Sequence, residues 1–298
     1  MNIIIGFVFV ALFIFCTTFR QIVLHPFSCI VYGISDFINW VHYCGWRNFK
    51  SGFIICFIGL FGKGKTLSAV RYVCKIYKKK NNKRIYDFNR KKWVTQKVMI
   101  LSNVELSIPY IKLTSLRQII DVSNQMREID AENDTLTITL VLGDEFSVQM
   151  NSRQFKSNID ALFLNTLLTC RHHHISLIYT AQRFGHVDAL LRQVTSYVVD
   201  CDKMWRIMRH AKYDAWDLEN ATSPTMCKPL LKYGWFIRDK DFNAYDTLAC
   251  VSNLEKSYND GDMLTEEEIL ALQGNNGSDM EVVSKPSRRY LRMSRKRK

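Results

Sequence analysis

The sequence predicts an α/β fold with a central, mostly parallel sheet, preceded by an N-terminal membrane helix. Three observations carry that reading. A continuous apolar run at 53–58 feeds directly into Gly59-Leu60-Phe61-Gly62-Lys63-Gly64-Lys65-Thr66, after which Leu67, Val70, Val73, Cys74 and Tyr77 recur at helical spacing. Two more apolar runs, 136–142 and 175–180, end in Gly143-Asp144-Glu145 and Ala181-Gln182. Residues 2–19 carry no charged side chain. Strands apolar along their whole length are those buried on both faces, as in a parallel sheet covered by helices. With 298 residues and 47% hydrophobic content there is ample material for a core, which excludes wholesale disorder.

The N-terminal run is broken only by Gly6 between residues 3 and 15, and its ~17 apolar residues sit at the short limit for a spanning helix. A cleaved signal peptide would have a basic start and a small-residue cleavage site. Here the first basic residue is Arg20, after the run, so an uncleaved anchor is expected. In 27–46, Asp36, Asn39 and His42 recur at three-residue spacing among Ile30, Val31, Ile34, Phe37, Ile38, Trp40 and Val41. That spacing gathers the polar groups on one side of a helix lying in the membrane interface, or of a second span forming a hairpin. Arg47, Lys50 and later basic residues, by the positive-inside tendency, place the chain from about residue 47 onward in the cytoplasm. The expected organisation is a membrane anchor and interfacial helix over 1–50, an α/β domain over 51–250, and a linker with basic tail over 251–298.

The residues at 59–66 match G-x-x-x-x-G-K-[ST]. Gly59, Gly62 and Gly64 let the backbone of Leu60, Phe61 and Lys63 wrap around phosphates, Lys65 neutralises the β/γ oxygens, and the Thr66 hydroxyl can ligate Mg²⁺. Acids at the carboxyl end of a parallel strand stand where ligands collect, so Asp144 is expected to hold the Mg²⁺ shell and Glu145 to polarise the attacking water. Gln182, at the end of the next strand, is placed to sense the γ-phosphate or that water. No Asn-Lys-x-Asp guanine signature occurs, which favours ATP.

With these residues in place the chain resembles the Zot family of filamentous-phage assembly ATPases, within the FtsK/HerA-like P-loop class. The resemblance runs from about residue 52 to 247. It includes Val98-Met99-Ile100-Leu101 followed by Ser102-Asn103, Thr169-Cys170-Arg171-His172-His173, Thr180-Ala181-Gln182, Val187-Asp188 with Arg192, and Tyr245-Asp246-Thr247. It implies a RecA-like P-loop NTPase in which another strand separates the Asp-Glu strand from the phosphate-loop strand. It also implies a homo-oligomeric ring, hexameric by family resemblance, in which a neighbour supplies an arginine. Arg153, Arg171, Arg183 and Arg192 are the candidates, and Arg171 and Arg192 match family positions. The implied activity is ATP hydrolysis coupled to export or packaging of a single-stranded phage genome, with coat or assembly proteins as partners. The order of segments differs from the family, whose ATPase precedes its membrane span. Here the apolar segment comes first, as in conjugative coupling ATPases, which stand as an alternative beside a nucleotide-gated membrane scaffold.

The net charge of +13 is concentrated. Residues 75–97 hold ten basic side chains against Asp87, residues 284–298 hold eight against none, and the remainder carries 23 basic and 27 acidic residues. The first segment reads as the end of a helix and a loop, with Tyr77, Tyr86, Phe88 and Trp93 able to stack bases or with the lysines meeting anionic lipid. The second follows a polar linker and suits DNA, lipid or an acidic partner. Nine scattered cysteines without Cys-x-x-Cys spacing argue against a disulfide framework or zinc site. The run at 172–174 reads as a polar lead into a strand rather than a metal site.

Overall fold

A computed structural model describes residues 10, 13–145, 168–221 and 226–245. Its contacts divide the chain into two units, one formed by 1–48 with 85–93 and the other by 49–84 with 94–298.

In the first unit, α1 (Thr17–Leu24) and α2 (Pro26–His42) meet at His25 with a bend of 98°. Pro26 opens α2, where its missing N–H costs no helical hydrogen bond. No described helix alone is long and apolar enough to cross a membrane, although this bent pair passes together by length and composition. Most of the run predicted to anchor the chain (residues 1–9, 11 and 12) lies outside the described residues. Neither helix buries a residue, so Phe27, Ile30, Val31, Ile34, Phe37 and Ile38 all stay exposed. Tyr43 stacks on Tyr86 with ring centroids 4.2 Å apart and meets Phe88 edge-on at 5.3 Å, while Tyr86 packs on Trp93.

The second unit holds most of the sheet, whose order is β2-β3-β5-β6-β1-β7-β8-β9. The strands are β1 (Ile54–Ile58), β2 (Lys83–Asp87), β3 (Lys92–Ser102), β4 (Ile111–Lys112), β5 (Thr135–Gly143), β6 (Ile175–Ala181), β7 (Tyr197–Met204), β8 (Ile207–Asp214) and β9 (Leu231–Phe236). The pairs β3–β5, β5–β6, β6–β1 and β1–β7 are parallel, and β7–β8–β9 continues antiparallel. Period-two alternation sorts the apolar strands onto two cores. Ile54, Cys56, Leu177 and Tyr179 face one core, with Ile119, Val122 and Met126 of α4 (Leu116–Glu132) and Leu191 of α5 (Ala189–Val194). Ile55, Phe57 and Ile178 face the other, against Val70, Val73 and Cys74 of α3 (Lys65–Lys80). β6 lies between the Asp-Glu strand β5 and the phosphate-loop strand β1, the RecA-like order.

The segment 78–97 is not a helix end and loop. α3 stops at Lys80, Asn82 turns the chain at φ 55°, and β2 and β3 follow. Val94, Gln96 and Val98 are buried alternately along β3, so strand parity is present beneath the lysines; counting charge alone hides it. Tyr86 and Trp93, expected to offer faces to bases, pack instead with Tyr43. The histidines at 172–174 form a turn into β6 as expected, and among the described residues no group of three or more His, Cys, Asp or Glu is gathered for a metal.

Candidate nucleotide site

β1 delivers the chain into the loop 59–66 at the carboxyl edge of the parallel strands. Gly59 lies at φ 148°, and a Cβ there would stand 2.8 Å from the Cys201 carbonyl oxygen. Gly64 adopts the left-handed conformation at φ 82°, where a Cβ would also strike Met208 Cε. The helix that follows has no side chain on its N-terminal amides. Three other helices of the unit are capped by side chains: Ser115 caps α4, Asp188 caps α5, and Asp214 caps α6 (Ala215–Asn220). A helix that leaves its first amides without a side-chain cap presents N–H groups and the positive end of its dipole to an anion. Lys65 Nζ lies 3.5 Å from the Leu60 carbonyl and 5.6 Å from the Phe61 ring centroid, folded over the loop. Lys63 turns away, its Nζ 2.7 Å from Asp202.

Asp144, buried at the end of β5, is the hub of the site. The Thr66 hydroxyl donates to its carboxylate, 2.8 and 3.0 Å from the two oxygens, and the Thr180 hydroxyl donates to Oδ1 at 2.6 Å. Its backbone is clamped by Asn103, which accepts the Asp144 N–H at 2.8 Å and donates to the Asp144 carbonyl at 3.0 Å. Glu145 has φ 52°, left-handed for a residue with a side chain, and its N–H donates to Thr180 Oγ1 at 2.9 Å. A hydroxyl beside a carboxylate is the sparse, hard-oxygen set that suits Mg²⁺, which keeps waters and phosphate oxygens in its remaining positions. Bound there, the ion would neutralise charge on the phosphates.

Gln182 follows β6 beside the loop, its carbonyl accepting the Gly59 N–H at 3.4 Å. A cleft of about 1060 Å³ opens between Gly59, Leu60 and Lys63 on one side and Gln182, Arg183 and Arg192 on the other. Asp200 lines it, and burial together with the neighbouring Asp202 carboxylate holds the Asp200 carboxyl above its ordinary range. Hydrogen bonds from Lys63 and Arg209 hold Asp202 below its own. Arg192 spends its guanidinium within its own subunit, on Glu219 at 3.1 Å and on the carbonyls of Gly185 and Val187 at 3.1 and 2.8 Å. Arg171 precedes β6, at the strand end opposite the loop, with its Cα against Gly52. Seven residues of β6 put it roughly 20 Å from the phosphate loop of its own subunit. Arg153 falls outside the described residues.

Sequence reasoning singled out the loop, both acids and Gln182, yet gave no role to Asn103 and Thr180. Asn103 directly follows β3 and Thr180 stands one residue before the end of β6, and both fall within the motif segments that carry the resemblance, which is the signal that would have found them. It also missed His210 on β8. The His210 ring is 2.9 Å from Ser68 Oγ, whose proton goes to the Gly64 carbonyl at 2.8 Å, so Nε2 carries the proton of the neutral ring.

Strand order, phosphate loop and the Thr66–Asp144 pair define a RecA-like P-loop NTPase. Among solved structures, the chain is similar to the N-terminal domain of zonular occludens toxin from Neisseria meningitidis, at 18% identity over 66% of this chain and 100% of that one, with a TM-score of 0.44. It is also similar to the genome packaging NTPase of Sulfolobus turreted icosahedral virus 2 in complex with ATP-gammaS, at 12% identity over 55% and 93% of the two chains and a TM-score of 0.35. A KaiC-like protein from Pyrococcus horikoshii aligns at 10% identity over 62% and 85%, with a TM-score of 0.29. No protein-family model and no curated protein matches the sequence.

Proposed function

We propose that this chain is a membrane-anchored ATPase that couples ATP hydrolysis to DNA export or packaging during filamentous phage assembly. The observation that carries the hydrolytic part is the Thr66–Asp144 contact of 2.8 Å beside a phosphate loop whose helix begins without a side-chain cap. In this reading Lys65 draws the β/γ-phosphate oxygens, and Thr66 and Asp144 hold Mg²⁺. Glu145 orients the attacking water and takes its proton, while Gln182 reports on the γ-phosphate. Support for the transport part comes from the ordered motif series along 98–192 and from the ten basic residues of 75–97. The exposed apolar surface of α2 supports attachment to the host inner membrane with the 51–250 domain in the cytoplasm. The partners in this reading are other copies in a ring, the single-stranded phage genome, and coat or assembly proteins. A conjugative-type coupling ATPase is the second reading, favoured by the position of the apolar helices ahead of the phosphate loop.

The test is ATP turnover by the detergent-solubilised full chain, with and without single- or double-stranded DNA. Mg²⁺-dependent turnover that rises with single-stranded DNA and loses that stimulation steeply with salt is expected, because phosphate contacts release counterions. Turnover indifferent to both DNA forms would remove the transport role, and absence of turnover would remove the ATPase. A relaxase gene beside this one would favour the second reading.

A further inference from the structure

We infer that Thr180 is a positioning residue for ATP hydrolysis: its one hydroxyl sets both acids of the site and ties them to the strand that leads into Gln182. The inference rests on the ATPase reading above. Thr180 Oγ1 donates to Asp144 Oδ1 at 2.6 Å and accepts the Glu145 N–H at 2.9 Å, so a single atom fixes the Asp144 carboxylate and the Glu145 backbone together. The side chain is fully buried, and its bond to Asp144 is buried with it, which leaves water no access to substitute there. Asp144 Oδ1 takes a second O–H donor, Thr66 at 2.8 Å, so the two threonines hold the metal-binding carboxylate from separate elements, β6 and the start of α3.

The geometry at Glu145 gives the contact its consequence. A φ of 52° is costly for a residue with a Cβ, and it persists only where neighbours over-determine it. Two contacts pin the adjacent backbone: the Thr180 bond to the Glu145 N–H, and the Asn103 clamp on the Asp144 N–H and carbonyl. The left-handed backbone falls at the residue whose carboxylate is assigned to the attacking water. Losing the Thr180 hydroxyl takes away the partner of the half-buried Glu145 N–H and one of the two contacts that hold that backbone conformation. Thr180 also stands two residues before Gln182, so a displacement of the end of β6 moves the hydroxyl that holds both acids.

Thr180→Val keeps the shape and removes the hydroxyl; Thr180→Ser keeps the hydroxyl and removes a methyl. The full chain of each would be compared with wild type for affinity toward a fluorescent ATP analogue in Mg²⁺, for kcat, and for melting temperature. Expected is a loss of about 10-fold or more in kcat for Thr180→Val with analogue affinity within about twofold of wild type, and recovery of most of kcat in Thr180→Ser. Thr180→Ala serves in the same comparison should the valine variant not fold, with Thr180→Ser as its rescue. Unchanged kcat in the hydroxyl-free variant would overturn the inference. So would equal losses in the hydroxyl-free and serine variants, which would mark the methyl packing as the cause, or an affinity loss as large as the loss in kcat. A wild-type chain with no turnover would strike the ATPase reading instead, leaving the two failures distinguishable.

Discussion

In the proposed function Lys65 and Glu145 serve different halves of a turnover, and substitution is expected to separate them. Lys65 is folded over the loop toward the Leu60 carbonyl and in that proposal turns to phosphate oxygens, whereas Glu145 stands after β5 beside Asp144, the acid proposed to hold Mg²⁺. Lys65→Ala is expected to lose both nucleotide affinity and turnover, the latter by about 10²-fold or more, as when a preorganised charge donor is removed from a phosphoryl site. Glu145→Gln is expected to keep affinity while kcat falls about 10²- to 10⁴-fold, the range for loss of a general base. Filter binding of labelled ATP beside a phosphate-release assay reads both quantities, and normal hydrolysis by Glu145→Gln would sink its assignment. Gly64→Ala tests the loop itself. The left-handed backbone costs an L-residue about 1–2 kcal/mol, and the added methyl meets Met208, so both melting temperature and ATP affinity should drop.

At the scale of elements, the antiparallel extension β7–β8–β9 braces the phosphate-loop helix. His210 on β8 reaches Ser68 on α3, and Ser68 in turn bonds the Gly64 carbonyl, so the middle strand of the extension buttresses the last glycine of the loop. Burial among Phe57, Tyr233 and Trp235, with the Arg71 charge adding to it, lowers the His210 pKa from 6.5 to about 4. The unfolded chain therefore takes up a proton near pH 6.5 that the folded chain refuses until about pH 4. Stability from this group is complete above pH 6.5 and declines as pH falls toward 4. Urea midpoints measured across that window should fall for the wild type and flatten in His210→Gln; identical slopes would remove His210 as the cause. None of this bracing is legible in the sequence, because β8 reads as a mixed run, Ile207 to Asp214, with charged residues on an uncovered face. The parallel core is legible for the opposite reason: β1, β5 and β6 are buried on both faces, so β1 is wholly apolar and only the small polar side chains of Ser and Thr interrupt β5 and β6. Glycines and a lysine-threonine pair at fixed spacing made the loop readable. Asn103 and Thr180 stood only as members of motif segments, without a role, because a polar residue near a strand end looks like any exit from a core until the strand order brings both to Asp144.

For the whole molecule, the two candidate family arginines stand in different relations to the site. Arg192 is held by Glu219 and two carbonyls of its own subunit, which makes it a strut of the cleft wall. Arg171 lies at the strand end opposite the loop, so within one subunit it has no route to the phosphates. A ring changes that, because a heterologous interface brings the far edge of one copy against the near edge of the next. If Arg171 serves a neighbour, Lys65→Ala and Arg171→Ala lesions sit on opposite sides of each interface. Each variant alone is then inactive, and an equimolar mixture of the two regains turnover, since about one interface in four pairs an intact Lys65 with an intact Arg171. Subunit exchange in detergent followed by phosphate release measures this, with native mass confirming that mixed assemblies form. Mixed assemblies that stay silent would confine Arg171 to a structural role beside Gly52 in its own subunit.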